Sequence, residues 1–210
     1  MTSTSTLAER LRRASLSGEP LRDVAVVMSE FIDEGGVELV DDPFHPARKD
    51  PVRGLVAVLE SNDNISVILI RSAPGLIAVP QRQELPLAVG VLAGRVIVDV
   101  YLENEVDHTL SEAGGVEVLP EEVYVIEPDV VHNIRFVGEE SGLALHVIIG
   151  DLDGVERSRW IDGQHQRVAP SNAYPLTALP MPLVSAKPDG PLPTGGVVDE
   201  SQGQDVSATD

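Results

Sequence analysis

Residues 79–103 read VPQRQELPLAVGVLAGRVIVDVYLE, in which two runs rich in Val, Leu and Ile flank Gly94. Short apolar runs bounded by turn residues are typical of buried strands, and glycine readily makes the tight connection between two of them. The stretch therefore predicts a β-hairpin that turns at Gly94. The polar segment at its start, VPQRQELP (79–86), ends in a proline, so we expect irregular strand pairing there.

Short β-branched runs of the same kind recur on both sides of this stretch. Asn, Asp, Gly and Pro separate them, and these residues favour turns. Many short strands at such spacing predict an antiparallel barrel or sandwich rather than alternating βαβ units. The predicted strands are Leu55–Glu60, Ile65–Arg71, Leu76–Val79, Leu87–Leu92, Val96–Leu102, Val116–Leu119, Val123–Ile126, Val131–Val137 and Leu143–Ile149.

The sequence before and after the predicted strands has different residue patterns. Apolar residues recur at helical spacing within residues 7–16 and again within 21–32, which predicts two short helices. After about residue 167 the chain becomes rich in proline and then polar, which predicts an extended segment with a disordered end. The sequence thus predicts three parts: a helical segment packed on the barrel (1–36), a β-barrel (37–168) and an extended tail (169–210).

The composition narrows the classes of partner. With 15 Lys+Arg against 34 Asp+Glu, the net charge of -19 repels phosphate backbones and anionic lipids, so we expect no nucleic-acid or membrane partner. The absence of cysteine excludes disulfides, thiolate ligands and a cysteine nucleophile. Residues 1–15 lack the apolar run of a secretory signal, so we expect a cytoplasmic protein. A homodimer is the default expectation, because twofold assemblies are the commonest oligomers.

Two stretches together resemble the paired motifs of the cupin superfamily: residues 79–103 and residues 125–152, VIEPDVVHNIRFVGEESGLALHVIIGDL. In that family the first motif carries two histidines one residue apart before a hairpin glycine, and the second carries a histidine soon after a Pro-Gly or Pro-Asp turn. The resemblance implies an all-β jelly-roll barrel, the cupin double-stranded β-helix, with short N-terminal helices. More narrowly, residues 7–160 are similar to the cysteine-dioxygenase-like, or thiol dioxygenase, branch, whose cofactor is Fe(II).

Glutamines occupy the positions at which that branch has its paired histidines. Alignment on Pro80 and Gly94 places these positions on Gln81 and Gln83, and the third ligand position on His132. A carboxamide oxygen is a weak, neutral ligand for a transition metal. The metal site implied by the resemblance is therefore degenerate, and we expect either no cofactor or a weakly bound divalent metal, Fe(II) by the resemblance. The two glutamines are equally candidates for hydrogen-bonding a substrate in a polar, metal-free pocket.

Glu84 is the one neighbouring residue that would restore a charged ligand. Together with His132 and one glutamine it would form part of a His/carboxylate set. Side chains alternate across a strand, so Gln81 and Gln83 share one face while Arg82 and Glu84 lie on the other. Glu84 can therefore join the site only if the strand bulges. Arg82 is either a solvent-facing charge or a substrate contact.

Two further residues complete the candidate site. His146, in LALHVII, matches the histidine that lies behind the metal ligands in the thiol dioxygenase branch, although Ala144 and Ile148 replace its serine and tyrosine. Arg71 ends a predicted strand and is either a charged strand end or a bidentate contact for a substrate carboxylate. The remaining histidines fall in predicted loops, with no spacing that indicates a site: His45, His108 and His165.

Three functions agree with this site. The first is a small-molecule cupin enzyme with a degenerate or metal-free pocket, of the kind used in specialised metabolism, in which His132 acts as acid/base or sole imidazole ligand and His146 assists. The second is a non-catalytic cupin that binds a metabolite or a partner protein, which the missing ligand triad favours. The third is a metal-dependent thiol dioxygenase, which ranks last because the sequence contains no His-x-His pair.

The glutamines at positions 81 and 83 predict that the protein is poor in iron. Elemental analysis of protein purified without chelator or added metal should find well under one Fe per chain, because neutral amides hold the ion weakly. Oxygen uptake with cysteine or 3-mercaptopropionate should be absent. Near-stoichiometric iron, or robust formation of a sulfinate product, would contradict this expectation.

Overall fold

Two helices and eleven strands make up the part of the chain that the computed structural model describes, which is residues 4–36, 55–72, 75, 77–138 and 141–170. The predictions made for residues 37–54 and for the tail at 171–210 lie outside these ranges. The elements are α1 (Thr4–Ser15), α2 (Pro20–Asp33), β1 (Leu55–Asn62), β2 (Ile65–Ser72), β3 (Gln81–Arg82), β4 (Leu87–Ala93), β5 (Arg95–Glu103), β6 (Leu110–Val118), β7 (Val123–Ile126), β8 (Val131–Val137), β9 (Gly142–Ile149), β10 (Arg157–Ile161) and β11 (Gln164–Val168).

The strands form two antiparallel sheets. One has five strands in the order β1-β2-β9-β4-β7, and the other has six in the order β11-β10-β3-β8-β5-β6. From β2 to β5 and from β6 to β10 each successive strand crosses to the opposite sheet. This alternation is the winding of a jelly-roll, or double-stranded β-helix. The predicted fold class, all-β with short N-terminal helices, is confirmed.

Gly94 turns the chain between the sheets rather than within a hairpin. β4 pairs with β7 and β9, whereas β5 pairs with β6 and β8, so the predicted β4–β5 hairpin is wrong. Gly94 has a φ of 76°, and a Cβ atom built on it would lie 2.9 Å from the Cα of Gly142. A glycine that turns a corner satisfies the same local pattern as one that turns a hairpin, so only long-range pairing separates the two.

Two apolar layers hold the sheets and helices together. One lies between the sheets and includes Ile68 and Val89 from the five-stranded sheet with Val98 and Ile134 from the six-stranded sheet. The other lies on the far face of the five-stranded sheet. Its members, on α1, α2 and strands β2, β4 and β9, include Leu7, Leu11, Val24, Met28, Phe31, Val67, Leu69, Leu145 and Val147. The helices therefore cover one face of the barrel, and the space between the sheets is a separate interior.

Both predicted helices are confirmed, and each is amphipathic. α2 begins at Pro20, a residue favoured in the first turn, and Gly35 follows its end with a φ of 83°. Its buried face packs so closely on β4 that a Cβ at Gly90 would lie 3.0 Å from the side-chain ends of Ile32 and Met28. Among the described residues, no helix is long and apolar enough to cross a membrane.

The strand predictions fail where strands are polar. β6 begins at Leu110, six residues before the predicted start, because the five residues after Leu110 in LSEAGGVEV are polar or small and are exposed. β10 (RSRWI) and β11 (QHQRV) carry too few apolar residues to be recognised as strands. Residue 76 lies outside the described residues, and the strand predicted at 76–79 is wrong for residues 77–79, where only an isolated bridge between Ile77 and Arg135 forms.

Gly142 is a position where packing forbids a side chain. A Cβ atom there would lie 2.1 Å from Cδ1 of Phe136, whose ring is buried between the sheets. We expect G142A to lower the free energy of unfolding by about 1–3 kcal/mol, because the ring must move within a packed core. G18A is the matched control, since nothing lies within 4 Å of its Cβ position. Urea unfolding checks this, and equal stability of the two variants would contradict it.

Candidate functional site

One row of residues crosses the six-stranded sheet from β5 to β10. The antiparallel pairs are Val100 with His132, His132 with Gln81, and Gln81 with Arg159. Val98, two residues from Val100, lies in the apolar layer between the sheets. Since side chains two residues apart share a face, the whole row faces the interior. His132, Gln81 and Arg159 are all buried.

His132 presents a neutral imidazole to this interior. Its side chain is 1% exposed, and its Nδ1 lies 3.1 Å from the carbonyl oxygen of Val130, to which it donates a hydrogen bond. Burial lowers the pKa of His132 to about 4, against the opposing effect of that bond. Nε2 then carries the free lone pair, and no described residue hydrogen-bonds to it. A buried acceptor of this kind is suited to a proton, a hydrogen-bond donor or a metal ion.

Gln83 adds a second set of buried polar atoms. It lies two residues beyond Gln81 and is 2% exposed, yet neither its amide nitrogen nor its amide oxygen has a hydrogen-bond partner among the described residues. A buried amide without a partner costs about 1–3 kcal/mol. The site therefore has both a donor and an acceptor in position for a polar ligand.

His146 approaches the interior from the opposite sheet. It pairs with Ile68 on one side and Val89 on the other, and both belong to the layer between the sheets. Burial, and then the nearby His132, lower the pKa of His146 to about 3. Two imidazoles are therefore neutral and close to each other across the interior at pH 7.

Arg82 and Glu84 lie on the outer face of the six-stranded sheet. Nε of Arg82 is 2.7 Å from Glu84 and its Nη1 is 2.6 Å from Glu103, at the end of β5. Glu84 has a φ of 59°, so the chain does distort there, but the carboxylate turns toward Arg82. Glu84 could join His132 as a ligand only through a bulge, and the distortion instead leaves its carboxylate with Arg82 on the opposite face.

Arg71 lies on the other sheet, at the end of β2. It pairs with Leu143, which packs in the layer beneath the helices. Val67 and Leu69, at alternate positions of β2, lie in that layer too. The register therefore places Arg71 on the helix-side face of the five-stranded sheet, which favours the alternative of a charged strand end over a contact with a substrate in the interior.

Sequence reasoning missed two buried arginines on β10. Arg159 pairs with Gln81, and Arg157 lies two residues away on the same face. Both are buried, which is rare for arginine. The two arginines of RSRWI are two residues apart, which is the spacing of side chains on one face of a strand. The spacing was not interpreted because the segment was not recognised as a strand. A guanidinium group on this face suits a carboxylate or another oxyanion.

Comparison with known proteins assigns no function to this chain. No family model matches this sequence, and no curated protein matches it. The solved structures found by comparison include a protein described as a cupin superfamily protein and also enzymes. At the identities involved, below one fifth, such similarity concerns the fold alone.

Three of these structures illustrate the extent of the match. A recombinant oxalate oxidase in complex with glycolate shares 17% identity over 49% of this chain and 53% of its own, with a TM-score of 0.39. A cupin superfamily protein from Desulfitobacterium hafniense shares 17% over 51% and 84%, with a TM-score of 0.38. The DMSP lyase DddQ from Ruegeria pomeroyi shares 15% over 53% and 53%, with a TM-score of 0.39. The chain thus spans about half the length of the two enzymes.

The buried histidines predict loss of stability in mild acid. A protonated imidazole is disfavoured in the interior, so between pH 6.5 and about 4 the unfolded chain binds more protons at His132 and His146 than the folded chain does. Stability therefore falls as the pH drops through this range. Each histidine should lower the free energy of unfolding by about 2 kcal/mol between pH 7 and pH 5, because each extra proton bound by the unfolded chain lowers it by about 1.4 kcal/mol per pH unit.

His146→Leu is the test of this prediction, because leucine suits the apolar neighbours of His146 and does not titrate. The variant should lose about 2 kcal/mol less than the wild type between pH 7 and pH 5, as measured by urea unfolding at both pH values. An identical loss in the two proteins would show that His146 is not the group responsible.

Proposed function

We propose that this protein binds a small anionic molecule between its two sheets and that His132 accepts a proton from that molecule. The observation that carries the proposal is the buried Nε2 of His132, which has no partner among the described residues while Nδ1 is held by Val130. Gln83, with both amide atoms equally without a partner, supports the same conclusion. A ligand that donates to the imidazole and bonds to the amide would satisfy all three atoms.

The residue types on the interior face suit a carboxylate ligand. Arg157 and Arg159 are buried on this face, and Arg159 is adjacent to Gln81 in the pairing. A guanidinium group binds a carboxylate through two parallel hydrogen bonds, and in a region of low dielectric the attraction is stronger than in water. We therefore expect the ligand to be a small carboxylic acid with an acidic C–H or O–H near His132.

The interior donor set does not fit Fe(II). His132 offers one good nitrogen ligand, the two glutamines offer weak neutral oxygens, and Glu84 is held outside by Arg82. The arginines on the same face also disfavour a cation. The thiol dioxygenase function therefore has the least support, and His132 acts better as a proton acceptor than as a sole metal ligand.

A non-catalytic binding protein is the second candidate, and the pKa of His132 is the observation that favours it. A base works best when its pKa lies near the working pH. With a pKa of about 4, His132 is a weak base at pH 7, although a strong hydrogen-bond acceptor. A bound ligand would then be held at this nitrogen without losing its proton.

Ligand binding is tested by thermal unfolding of the full chain at pH 7.5 with acetate, malonate, succinate or phosphate. At a concentration about 100 times its Kd, a ligand should stabilise the protein by about 2.7 kcal/mol, a rise in Tm of several degrees. Arg159→Gln should abolish the rise. Arg167→Gln, at an exposed arginine paired with Glu156 at 2.8 Å, is the matched control and should keep it.

The outcomes separate this proposal from its alternatives. No rise with any of the four anions, or an equal rise in R159Q, would contradict binding at the interior face. Gln83→Leu, which removes both amide atoms without removing a charge, serves if R159Q proves unfolded by circular dichroism, and it should weaken the same ligand. A response to phosphate alone would replace the carboxylate by a phosphate as the ligand class.

Proton abstraction is tested by deuterium exchange into the α-carbon of malonate in D₂O, followed by ¹H NMR. The wild-type protein should exceed the uncatalysed rate, and His132→Gln should lose the excess while still showing the malonate-dependent rise in Tm. Glutamine keeps a polar side chain but does not accept a proton at pH 7. Binding without exchange in the wild type would favour the non-catalytic function.

A further inference from the structure

A second cluster of metal-binding residue types lies on the outer face of the six-stranded sheet. Glu103 ends β5, His108 lies in the loop that follows, and His165 lies on β11, opposite Trp160 on β10. The Glu103 carboxylate and the two imidazoles each offer one possible ligand atom, and these three atoms all lie within 4.8 Å of one another. Glu103 and His165 are 62 positions apart in the chain, and the sequence spacing did not indicate a site. The cluster is formed by the sheet.

We propose that Glu103, His108 and His165 bind a divalent transition-metal ion of the Zn²⁺ class. Two imidazole nitrogens with one carboxylate are ligands that Zn²⁺, Ni²⁺ and Cu²⁺ prefer, whereas Ca²⁺ and Mg²⁺ prefer oxygen alone. Three protein ligands leave a coordination position for water or another donor. This site is separate from the interior one, because its residues face away from His132.

Each of the three side chains has an atom directed toward the cluster. Nδ1 of His108 lies 2.5 Å from Oε1 of Glu103. Nε2 of His165 is buried and has no hydrogen-bond partner among the described residues. The rings of His108 and His165 stack, with centroids 4.4 Å apart and planes inclined at 26°. A metal ion would replace the proton between His108 and Glu103 and give His165 its missing partner.

Burial and neighbouring charges shift the pKa values of Glu103 and His165. Although burial opposes it, the bond to His108 and the charge of Arg82 hold the pKa of Glu103 below its ordinary value. Burial, and then the nearby His108, lower the pKa of His165. A charged carboxylate and a neutral imidazole are the forms in which these residue types coordinate a metal.

The surrounding backbone holds the cluster in place. His108 has a φ of 58°, and its N–H donates to the carbonyl of Asn104 at 2.8 Å. Its own carbonyl accepts a bond from Nε1 of Trp160 at 2.6 Å. Arg82 bonds Oε2 of Glu103 at 2.6 Å, which leaves Oε1 for the cluster. Hydrogen bonds of this kind, made by groups that do not bind the ion themselves, fix the orientation of metal ligands.

The side chains must move only slightly to coordinate an ion. Metal–nitrogen bonds of about 2.1 Å bring two ligand atoms to within about 3.4 Å of each other. The side chain of His108 is 48% exposed, so its ring can rotate away from the stack, while Glu103 is 13% exposed and stays fixed. The charge of Arg82 opposes a cation. We therefore expect a dissociation constant of about 1 µM for the metal ion, which is weaker binding than in closed structural zinc sites.

Trp160 provides a direct readout of this site. It is the only tryptophan of the chain, and its ring centroid lies 4.9 Å from that of His165. Cu²⁺ quenches a nearby indole, so a titration of the full chain with Cu²⁺ at pH 7.5 should quench the fluorescence saturably at one ion per chain. Zn²⁺ added first should block the quenching by competing for the same ligands.

Variants separate this site from other places where Cu²⁺ binds. His165→Phe keeps an aromatic ring against Trp160 but removes a ligand, and Glu103→Gln removes the carboxylate charge. Each should weaken Cu²⁺ binding by about tenfold or more, the range measured when the support of a metal site is removed. Glu117→Gln is the matched control, since Glu117 is paired with Arg95 at 2.9 Å on the neighbouring strand, and it should leave the titration unchanged. His132→Gln should also leave it unchanged.

Three results would overturn the proposal: no saturable quenching, quenching that Zn²⁺ does not block, or the same affinity in H165F and E103Q as in the wild type. If either variant is unfolded by circular dichroism, His108→Phe takes its place. An increase of Tm with Zn²⁺ in the wild type, absent in the folded variants, is a second measurement independent of fluorescence.

Discussion

The pairing of Gln81 with His132 is the constraint on which both faces of the six-stranded sheet depend. β3 has only two residues, and through them β10 and β11 are joined to β8 and the rest of the sheet. Because side chains alternate across a strand, a shift of one residue in this pairing would exchange the two faces. The register sends Gln81 and His132 inward and Arg82 outward, to Glu103.

The two faces produced by that register have opposite chemistry. The inner one combines neutral imidazoles, amides and buried arginines, and such a surface suits an anion. The outer one combines carboxylates with imidazoles around Glu103 and suits a cation. Arg82 belongs to neither of the two proposed binding sets, but it is near both: it pairs with Glu84 away from the interior and with Glu103 in the outer cluster.

The sequence predicted best those features that depend on interactions between residues close together in the chain. Runs of Val, Ile and Leu gave correct strands from β7 to β9, and the periodicity before residue 34 gave both helices. The alternation in VPQRQELP placed two glutamines opposite Arg82, and in the fold both glutamines are buried while Arg82 pairs outside. Polar strands gave weaker signals. β10 and β11 stayed unrecognised, and with them the buried arginines and the partner of Trp160.

What the sequence determined by itself was the β-rich fold class, the short helices and the identity of His132 and the glutamines as polar residues in apolar surroundings. Only the tertiary structure decided that Gly94 turns between sheets, that Arg71 lies on the helix-side face of its sheet and that His165 meets His108 and Glu103. Hydrophobic periodicity is read within about ten residues of chain, so it specifies elements and their buried faces. Pairing partners lie far apart along the chain, and their choice depends on how both sheets close around one interior, which no local pattern contains.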